Sequence, residues 1–206
     1  MGFLHVNFGL WVKWAGTAVL VGALTGCYLP TGFVAEITIQ RTGDYTLTYD
    51  GVLLSSNLVP GLLTDDPDQK KIDERLEGVF ADMDRDSSYQ TVDYLGNGAF
   101  QVYFEKSDNI FERTSVTFIR TDNRFLSIAY VRKTGEIPIR ASIVPENQRP
   151  RLEAIGYSMA GEFRVTTDAR VLDHNATGVV EAEDGALTYI WVMRGMVETA
   201  PLLVIG

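Results

Sequence analysis

The sequence predicts an α+β domain in which β-hairpins form an antiparallel sheet, with one main amphipathic helix packed on a face and an N-terminal signal segment in front. Three observations lead to this prediction. Most segments alternate apolar and polar residues and are joined by short turns rich in Gly, Asn and Asp. One segment, 67–85, instead repeats apolar residues at helical spacing. The apolar residues before Cys27 have the length of a signal-peptide core.

The first hairpin and the helix have the clearest local signals. Segments 33–41 and 45–53 are rich in β-branched and aromatic residues and flank a Thr-Gly-Asp turn, which predicts a hairpin. The helix is predicted over 67–85, with Asp66 as its N-cap and Pro67 in its first position. Its apolar stripe is expected to lie on the sheet while its charged residues face solvent; the stripe comprises Ile72, Leu76, Val79, Phe80 and Met83.

Strands dominate the rest of the chain. A Gly-Asn-Gly turn predicts a second hairpin, between 89–95 and 99–106, because Asn-Gly accepts positive φ angles. A Thr-Asp-Asn-Arg turn at 121–124 predicts a third, between 116–120 and 125–132. Residues 107–113 are expected to form a loop or one helical turn, and the proline-punctuated stretch 134–155 a strand followed by an irregular connection or short helix. That stretch is also a possible boundary between two subregions. The later strands are expected at 89–95, 99–106, 116–120, 125–132, 137–144, 161–166, 170–174, 186–194 and 201–205.

The N-terminal segment has the features of a lipoprotein signal peptide. Lys13 is its only charged residue, and the 13 residues of 14–26 that follow are uncharged and mostly apolar. The sequence Leu24-Thr25-Gly26-Cys27 matches the bacterial lipobox, in which an aliphatic residue and two small residues precede a cysteine that accepts a lipid. We therefore expect removal of residues 1–26, acylation of Cys27, and a single domain over 27–206. Each buried CH₂ of the acyl chains contributes about 0.8 kcal/mol, so such an anchor is permanent.

An uncleaved signal anchor is the alternative interpretation of this segment. Extended through Pro30, the run from Trp14 has 17 residues, the lower limit for a helix that spans a bilayer. Cys27 is the only cysteine, so the chain has no intrachain disulfide. Tyr28 follows it in place of the aspartate associated with retention in the inner membrane. This favours the outer membrane, facing the periplasm, over the inner or plasma membrane.

Charge restricts the partners of the domain. Removing residues 1–26 leaves 17 of the 18 basic residues beside all 27 acidic ones, a net charge of −10. Such a surface repels nucleic acid, so no nucleic-acid partner is expected. The expected partners are the membrane, through the lipid on Cys27, and a lipid or an envelope protein as ligand.

Residues suited to catalysis occur, but not in a complete arrangement. His174 is the only histidine after the signal segment, and Asp173 is too close in sequence to orient its ring. Segment 82–86 is similar to half of a calcium loop without its central glycine, and Glu181 with Glu183 is an isolated carboxylate pair. We therefore expect neither enzyme activity nor a metal or cofactor. The alternative is a hydrolase whose carboxylates converge from distant parts of the chain.

Aromatic side chains are spread over many of the predicted strands. In Tyr103-Phe104 and Ile190-Trp191, successive residues point to opposite faces of the sheet, so some aromatic side chains leave the side covered by the helix. This predicts either a second packed layer or an apolar groove for a lipid or partner.

The C-terminal third, from Gly161 to Ile205, resembles the corresponding part of the LppM-like lipoprotein domain family. Its shared features are a strand that opens with glycine, an Asn-containing turn, a DG turn and a strand that carries tryptophan; here these are Gly161, Asn175, Asp184-Gly185 and Trp191. The lipobox and the first hairpin also stand where that family has them. The resemblance implies a membrane-tethered, envelope-facing α+β domain of poorly defined activity, which in some members is suggested to bind lipid or glycolipid. Because the anchor, the acidic surface and the lack of a complete catalytic arrangement point the same way, we expect a noncatalytic binding or structural domain, for a partner protein or an amphiphilic lipid.

Overall fold

The computed structural model describes residues 28–56, 58–59, 68–119, 124–182, 185–195 and 199–206. These residues form twelve strands in two sheets and three α-helices, which confirms the α+β class. The helices are α1 (Gln69–Asp84), α2 (Ile110–Arg113) and α3 (Arg149–Ala154). The strands are β1 (Tyr28–Ile39), β2 (Asp44–Ser55), β3 (Tyr89–Gly96), β4 (Ala99–Asn109), β5 (Ser115–Phe118), β6 (Leu126–Ala129), β7 (Ile137–Ala141), β8 (Ala160–Thr167), β9 (Val171–His174), β10 (Gly178–Glu181), β11 (Leu187–Arg194) and β12 (Leu202–Ile205).

The larger sheet has seven strands in the order β10-β11-β8-β1-β2-β4-β3. Its centre is the long β1–β2 hairpin, whose alternating residues are buried on one face and exposed on the other. The prediction of one antiparallel sheet is wrong in two respects: there are two sheets, and β1 pairs with β8 in parallel. A parallel pair needs a long crossover connection, and here that connection includes the first three strands of the smaller sheet.

The smaller sheet has five strands in the order β5-β6-β7-β12-β9 and covers the buried face of the larger sheet. The ring of Phe118 lies 4.7 Å from that of Tyr49 and 4.6 Å from that of Phe104, centroid to centroid. Phe125 approaches Phe33 to 5.1 Å, edge to face. The core therefore lies between two sheets. This is the second packed layer expected from the sequence, but it lies on the same face as the helix.

Two glycines allow Phe33 to occupy the centre of this core. Phe33 stands between Gly51 on β2 and Gly161 on β8. A Cβ atom on Gly161 would lie 2.5 Å from the Phe33 ring, and one on Gly51 would lie 2.5 Å from its Cβ. Only a residue without a side chain fits at either position, so the close packing of Phe33 explains why residue 161 is glycine.

The long helix α1 confirms the predicted stripe. Ile72, Val79 and Met83 are buried, and the ring of Phe80 contacts Phe100 of β4 edge to face at 5.6 Å. The predicted N-cap is wrong, because the carboxylate that accepts a hydrogen bond from the backbone at the helix start belongs to Asp68. Asp66 and Pro67 themselves lie outside the described residues.

The predicted hairpins β1–β2, β3–β4 and β5–β6 are confirmed by their pairing. Asn97 and Gly98 in the β3–β4 turn have φ angles of 52° and 76°, as an Asn-Gly turn requires. Helix α2 is the helical turn expected within 107–113, and the strand and short helix expected within 134–155 are β7 and α3. The strand β10 was not predicted.

Candidate functional site

The lipobox residues Leu24, Thr25, Gly26 and Cys27 lie outside the described residues, which begin at Tyr28. Tyr28 is already the first residue of β1 and is buried. The hydroxyl of Tyr157 donates a 2.8 Å hydrogen bond to the carbonyl oxygen of Pro30, and the hydroxyl of Thr31 donates a 2.7 Å bond to the carbonyl oxygen of Ser158. The strand is therefore held in place within a few residues of Cys27.

We call this part of the domain the anchor end: the start of β1, the end of β2, the β3–β4 turn and the residues that follow α3. The backbone N–H of Ser55 donates to the carbonyl oxygen of Gly98 at 2.8 Å, which joins β2 to the β3–β4 turn. Leu95 and Ile155 are the exposed aliphatic side chains here, with 60% and 42% of their surface accessible.

The opposite end of the domain contains an open polar depression of about 390 Å³ between the two sheets. We call it the polar mouth; the lining residues that matter here are Tyr45, Asp86, Lys106, Arg113, Ser115 and Thr117. It forms because the inward-facing residues of β4 change from apolar to charged along the strand. Phe100, Val102 and Phe104 are buried in the core, whereas Lys106 and Asp108, next in the same alternation, are charged.

Tyr45 is the buried member of the polar mouth. Only 4% of its surface is accessible, and its hydroxyl has no hydrogen-bond partner within the part of the chain that the structure describes. Burial raises the pKa of Tyr45 to about 12, and the carboxylate of Asp108 adds to the rise while Arg113 opposes it. The phenol therefore stays protonated at neutral pH and can act as a hydrogen-bond donor.

An ion pair fixes the polar side of the mouth. The Arg113 guanidinium bonds to Asp108, whose other carboxylate oxygen accepts a 2.8 Å bond from the backbone N–H of Asn109. These two contacts, the backbone one first, hold the pKa of Asp108 below its usual value. The Asn109 side chain accepts a 2.9 Å bond from the N–H of Phe111 and so caps α2, which carries Arg113. Asp108 is thus an ionised structural carboxylate and is poorly suited to act as a general acid.

The candidates for catalysis that the sequence suggested are not brought together. The Nδ1 atom of His174 accepts a 3.2 Å hydrogen bond from the N–H of Ala176, and its ring packs against Tyr189. His174 therefore makes local contacts at the end of β9. Segment 82–86 ends α1, with the carboxylate of Asp86 accepting a 3.0 Å bond from the N–H of Ser88. Glu183 lies outside the described residues.

Asn175 and Trp191, singled out by the family resemblance, form one hydrogen-bonded cluster. The side-chain oxygen of Asn175 accepts from Trp191 Nε1 and from the backbone N–H of Leu202, both at 2.8 Å, and its amide nitrogen donates to Ala200 at 2.8 Å. Since β11 and β12 belong to different sheets, Asn175 holds the two sheets together. Asp184 of the DG turn lies outside the described residues.

Sequence reasoning missed Tyr45, Lys106 and Arg113 as members of a site. The usable signal was the alternation along β4, in which two charged residues continue a row of buried aromatic and aliphatic ones. Arg113 could not be found this way, because it reaches the mouth through the α2 turn.

The fold and the mouth together define a two-sheet α+β domain with a polar opening between its sheets. A scan against protein-family models and a search of curated proteins found no match to this chain. Among the described helices none has the length and hydropathy needed to cross a bilayer, and the described histidine, cysteine and acidic side chains form no cluster of three that could hold a metal ion.

Proposed function

We propose that this chain is a bacterial lipoprotein, anchored in the cell envelope through acyl chains on Cys27, whose domain binds an envelope partner and does not catalyse a reaction. The lipobox at 24–27 and the apolar run before it support the anchor. Tyr28 after the cysteine favours the outer membrane, with the domain in the periplasm. The resemblance of the C-terminal third to LppM-like lipoprotein domains agrees with this proposal.

The observation that carries the proposal is that the start of β1, which directly follows Cys27 in the sequence, and the polar mouth lie at opposite ends of the β1–β2 hairpin. Strand β1 has 12 residues, and at about 3.3 Å per residue it separates the two ends by roughly 35 Å. A domain tethered at Cys27 therefore presents the polar mouth away from the bilayer. This placement favours a water-soluble partner protein over a membrane lipid as the occupant of the mouth.

The chemistry of the mouth supports binding rather than catalysis. A carboxylate hydrolase needs one carboxyl group that is protonated near neutral pH, and the lowered pKa of Asp108 is the opposite condition. Lys106 and Arg113 instead offer hydrogen-bond donors, with the ionised Asp108 beside them. Such a mixed set recognises the polar side chains of a protein surface.

The anchor is tested by Cys27→Ser in cells fed a clickable palmitate analogue. We expect a full-length, unlabelled precursor, because the hydroxyl cannot take the thioether-linked lipid. Thr25→Ser, which keeps a small lipobox residue, should be processed and labelled normally. Normal processing of Cys27→Ser would refute the anchor and leave an uncleaved signal segment as the better interpretation.

The mouth is tested by photo-crosslinking in living cells from a benzoylphenylalanine at position 117. Thr117 lines the mouth, whereas Thr48, also half-buried, lies on the outer face of the larger sheet and is the matched control position. We expect a discrete protein adduct from position 117 that is absent from position 48 and is lost when Lys106→Glu is added. Equal adducts from both positions, or an adduct unaffected by Lys106→Glu, would contradict binding at the mouth.

A further inference from the structure

We propose that the anchor end lies in the headgroup layer of the membrane, with Leu95 and Ile155 as the side chains that enter it. The inference rests on the proposed lipid anchor and adds an orientation to it. The occupant of this surface is the bilayer itself, and the surface would hold the domain upright with the polar mouth pointing away.

The first argument is the absence of a spacer between Cys27 and the folded domain. Consecutive Cα atoms are 3.8 Å apart, and Tyr28, the next residue, is paired with Ser55 in the larger sheet. The burial of Tyr28 and the hydrogen bond that the Pro30 carbonyl oxygen accepts fix the strand from its first residues onward. An acylated Cys27 at the bilayer surface therefore brings the start of β1 to the same depth.

The second argument is the height of Leu95 relative to that strand. Leu29 pairs with Leu54, Leu54 with Ala99, and Ala99 with Gly96, so one row crosses four strands. Leu95 directly precedes Gly96 and so adjoins this row, which crosses β1 at its second residue. Strands are spaced by about 4.8 Å, which puts β3 about 14 Å from β1 along the sheet. Leu95 is thus level with the anchor and is 60% exposed.

Ile155 makes the corresponding contact through the residues that follow α3. It is 42% exposed and lies two residues before Tyr157, whose hydroxyl bonds to Pro30. The chain then passes Ser158, which accepts from Thr31. Two exposed aliphatic side chains therefore adjoin the tethering point, one carried by β3 and one by the α3 connection.

Charge explains why the contact has to be apolar. The domain after residue 26 has a net charge of −10, so anionic headgroups repel it as a whole. Aliphatic side chains held at the bilayer surface by a covalent lipid lower their exposure to water without any electrostatic attraction. The tether provides the proximity, and Leu95 and Ile155 set the orientation.

The test uses the lipidated protein in liposomes that contain brominated phospholipids, which quench nearby tryptophan. Trp191 is the only tryptophan after residue 26, so Leu95→Trp and Ile155→Trp each add one probe to a constant background. Val131→Trp is the matched control, because Val131 is 38% exposed and follows Tyr130, which packs on Phe111 at the far end. We expect at least twofold quenching of the added emission at positions 95 and 155, and none at 131.

The outcomes separate this inference from the proposed function. Mass spectrometry of the same samples shows whether Cys27 carries lipid, and an unmodified Cys27 would overturn the anchor and the orientation together. A lipidated protein in which positions 95 and 155 are quenched no more than 131 would overturn the orientation alone. If a tryptophan variant fails to fold, a nitroxide on a cysteine at the same position gives the same depth measurement, since Cys27 is the only native thiol and is capped by lipid.

Discussion

The two ends of the domain are held together by different kinds of interaction. At the anchor end, uncharged hydroxyl groups of Tyr157 and Thr31 donate to backbone carbonyl oxygens of Pro30 and Ser158. At the far end, where the polar mouth opens, carboxylates accept most of the connecting hydrogen bonds. They belong to Asp44, which accepts from Thr42 and Asn109, to Asp108, bonded to Arg113, and to Asp168, bonded to the backbone and side chain of Arg41.

This difference indicates how the ends respond to their surroundings. Bonds between neutral groups do not change with pH or salt in the physiological range, so the anchor end keeps its shape when either changes. The far-end ion pairs are largely exposed, and exposed pairs contribute only about 0–1 kcal/mol each and weaken in salt. The far end can therefore exchange its internal ion pairs for contacts with a charged partner at little cost in stability.

The largest expected effect comes from close packing next to the anchor end. In Gly161→Ala the new Cβ would lie 2.5 Å from the ring of Phe33, which must then move away from Phe125 and Tyr49. We expect a loss of about 1–3 kcal/mol in the free energy of unfolding, measured by urea denaturation.

Gly178→Ala is the matched control for that substitution. Gly178 is also a strand glycine of the larger sheet, but the nearest atom to its added Cβ is 3.9 Å away. We expect its stability to stay within about 0.5 kcal/mol of the native value, as for other surface changes. If Gly161→Ala cost no more stability than Gly178→Ala, the core would have to yield around Phe33, and the anchor end would not be rigid.

A pair of tyrosine substitutions compares the two ends directly. Tyr157→Phe removes a buried hydroxyl that donates to Pro30, and should cost about 1 kcal/mol. Tyr45→Phe removes a buried hydroxyl without a partner in the described structure, and should leave stability unchanged or raise it by up to about 1 kcal/mol. Thermal and urea unfolding measure both effects.

Local signals in the sequence predicted much of the fold. The β1–β2 and β3–β4 hairpins follow from alternation and from turn residues that accept positive φ, such as Asn97 and Gly43. The stripe of α1 follows from helical periodicity. Strand β10 escaped prediction because its four residues are too few for a periodic pattern and its valines are exposed at the edge of the sheet.

Long-range features could not be predicted from one sequence. The parallel pairing of β1 with β8 joins residues 128 positions apart, such as Phe33 and Gly161, and no local pattern specifies such a partner. The polar mouth depends on that same arrangement, since it exists only where the smaller sheet stops covering the larger one. The alternation along β4 indicates that Lys106 points to the inner face of the sheet. It does not indicate which element packs opposite that face.

The smallest expected effect is a difference between the two ends in their response to acidification. The pKa values of Asp44, Asp108 and Asp168 are lowered, in each case mainly by hydrogen bonds that their carboxylates accept. A lowered pKa means that the stabilisation is complete above the unfolded value of about 3.9 and is lost as the pH falls through the folded values. Acidification below about pH 4 should therefore loosen the far end first. The protection factors for amide hydrogen exchange, which correct for the intrinsic pH dependence of the rate, should fall at Arg41 and Asn109, while Ser55, bonded to Gly98 at the anchor end, stays protected.

Asp168→Asn is the variant that isolates this effect. It removes one titrating group, so Arg41 should be less protected at neutral pH and lose less protection on acidification than in the native protein. Asp50→Asn changes a carboxylate on the outer face, and should leave exchange at Arg41 as it is in the native protein. If Ser55 lost protection at the same pH as Arg41, the domain would open as one unit in acid. The contrast between a neutral anchor end and a titratable far end would then have no consequence for how the protein unfolds.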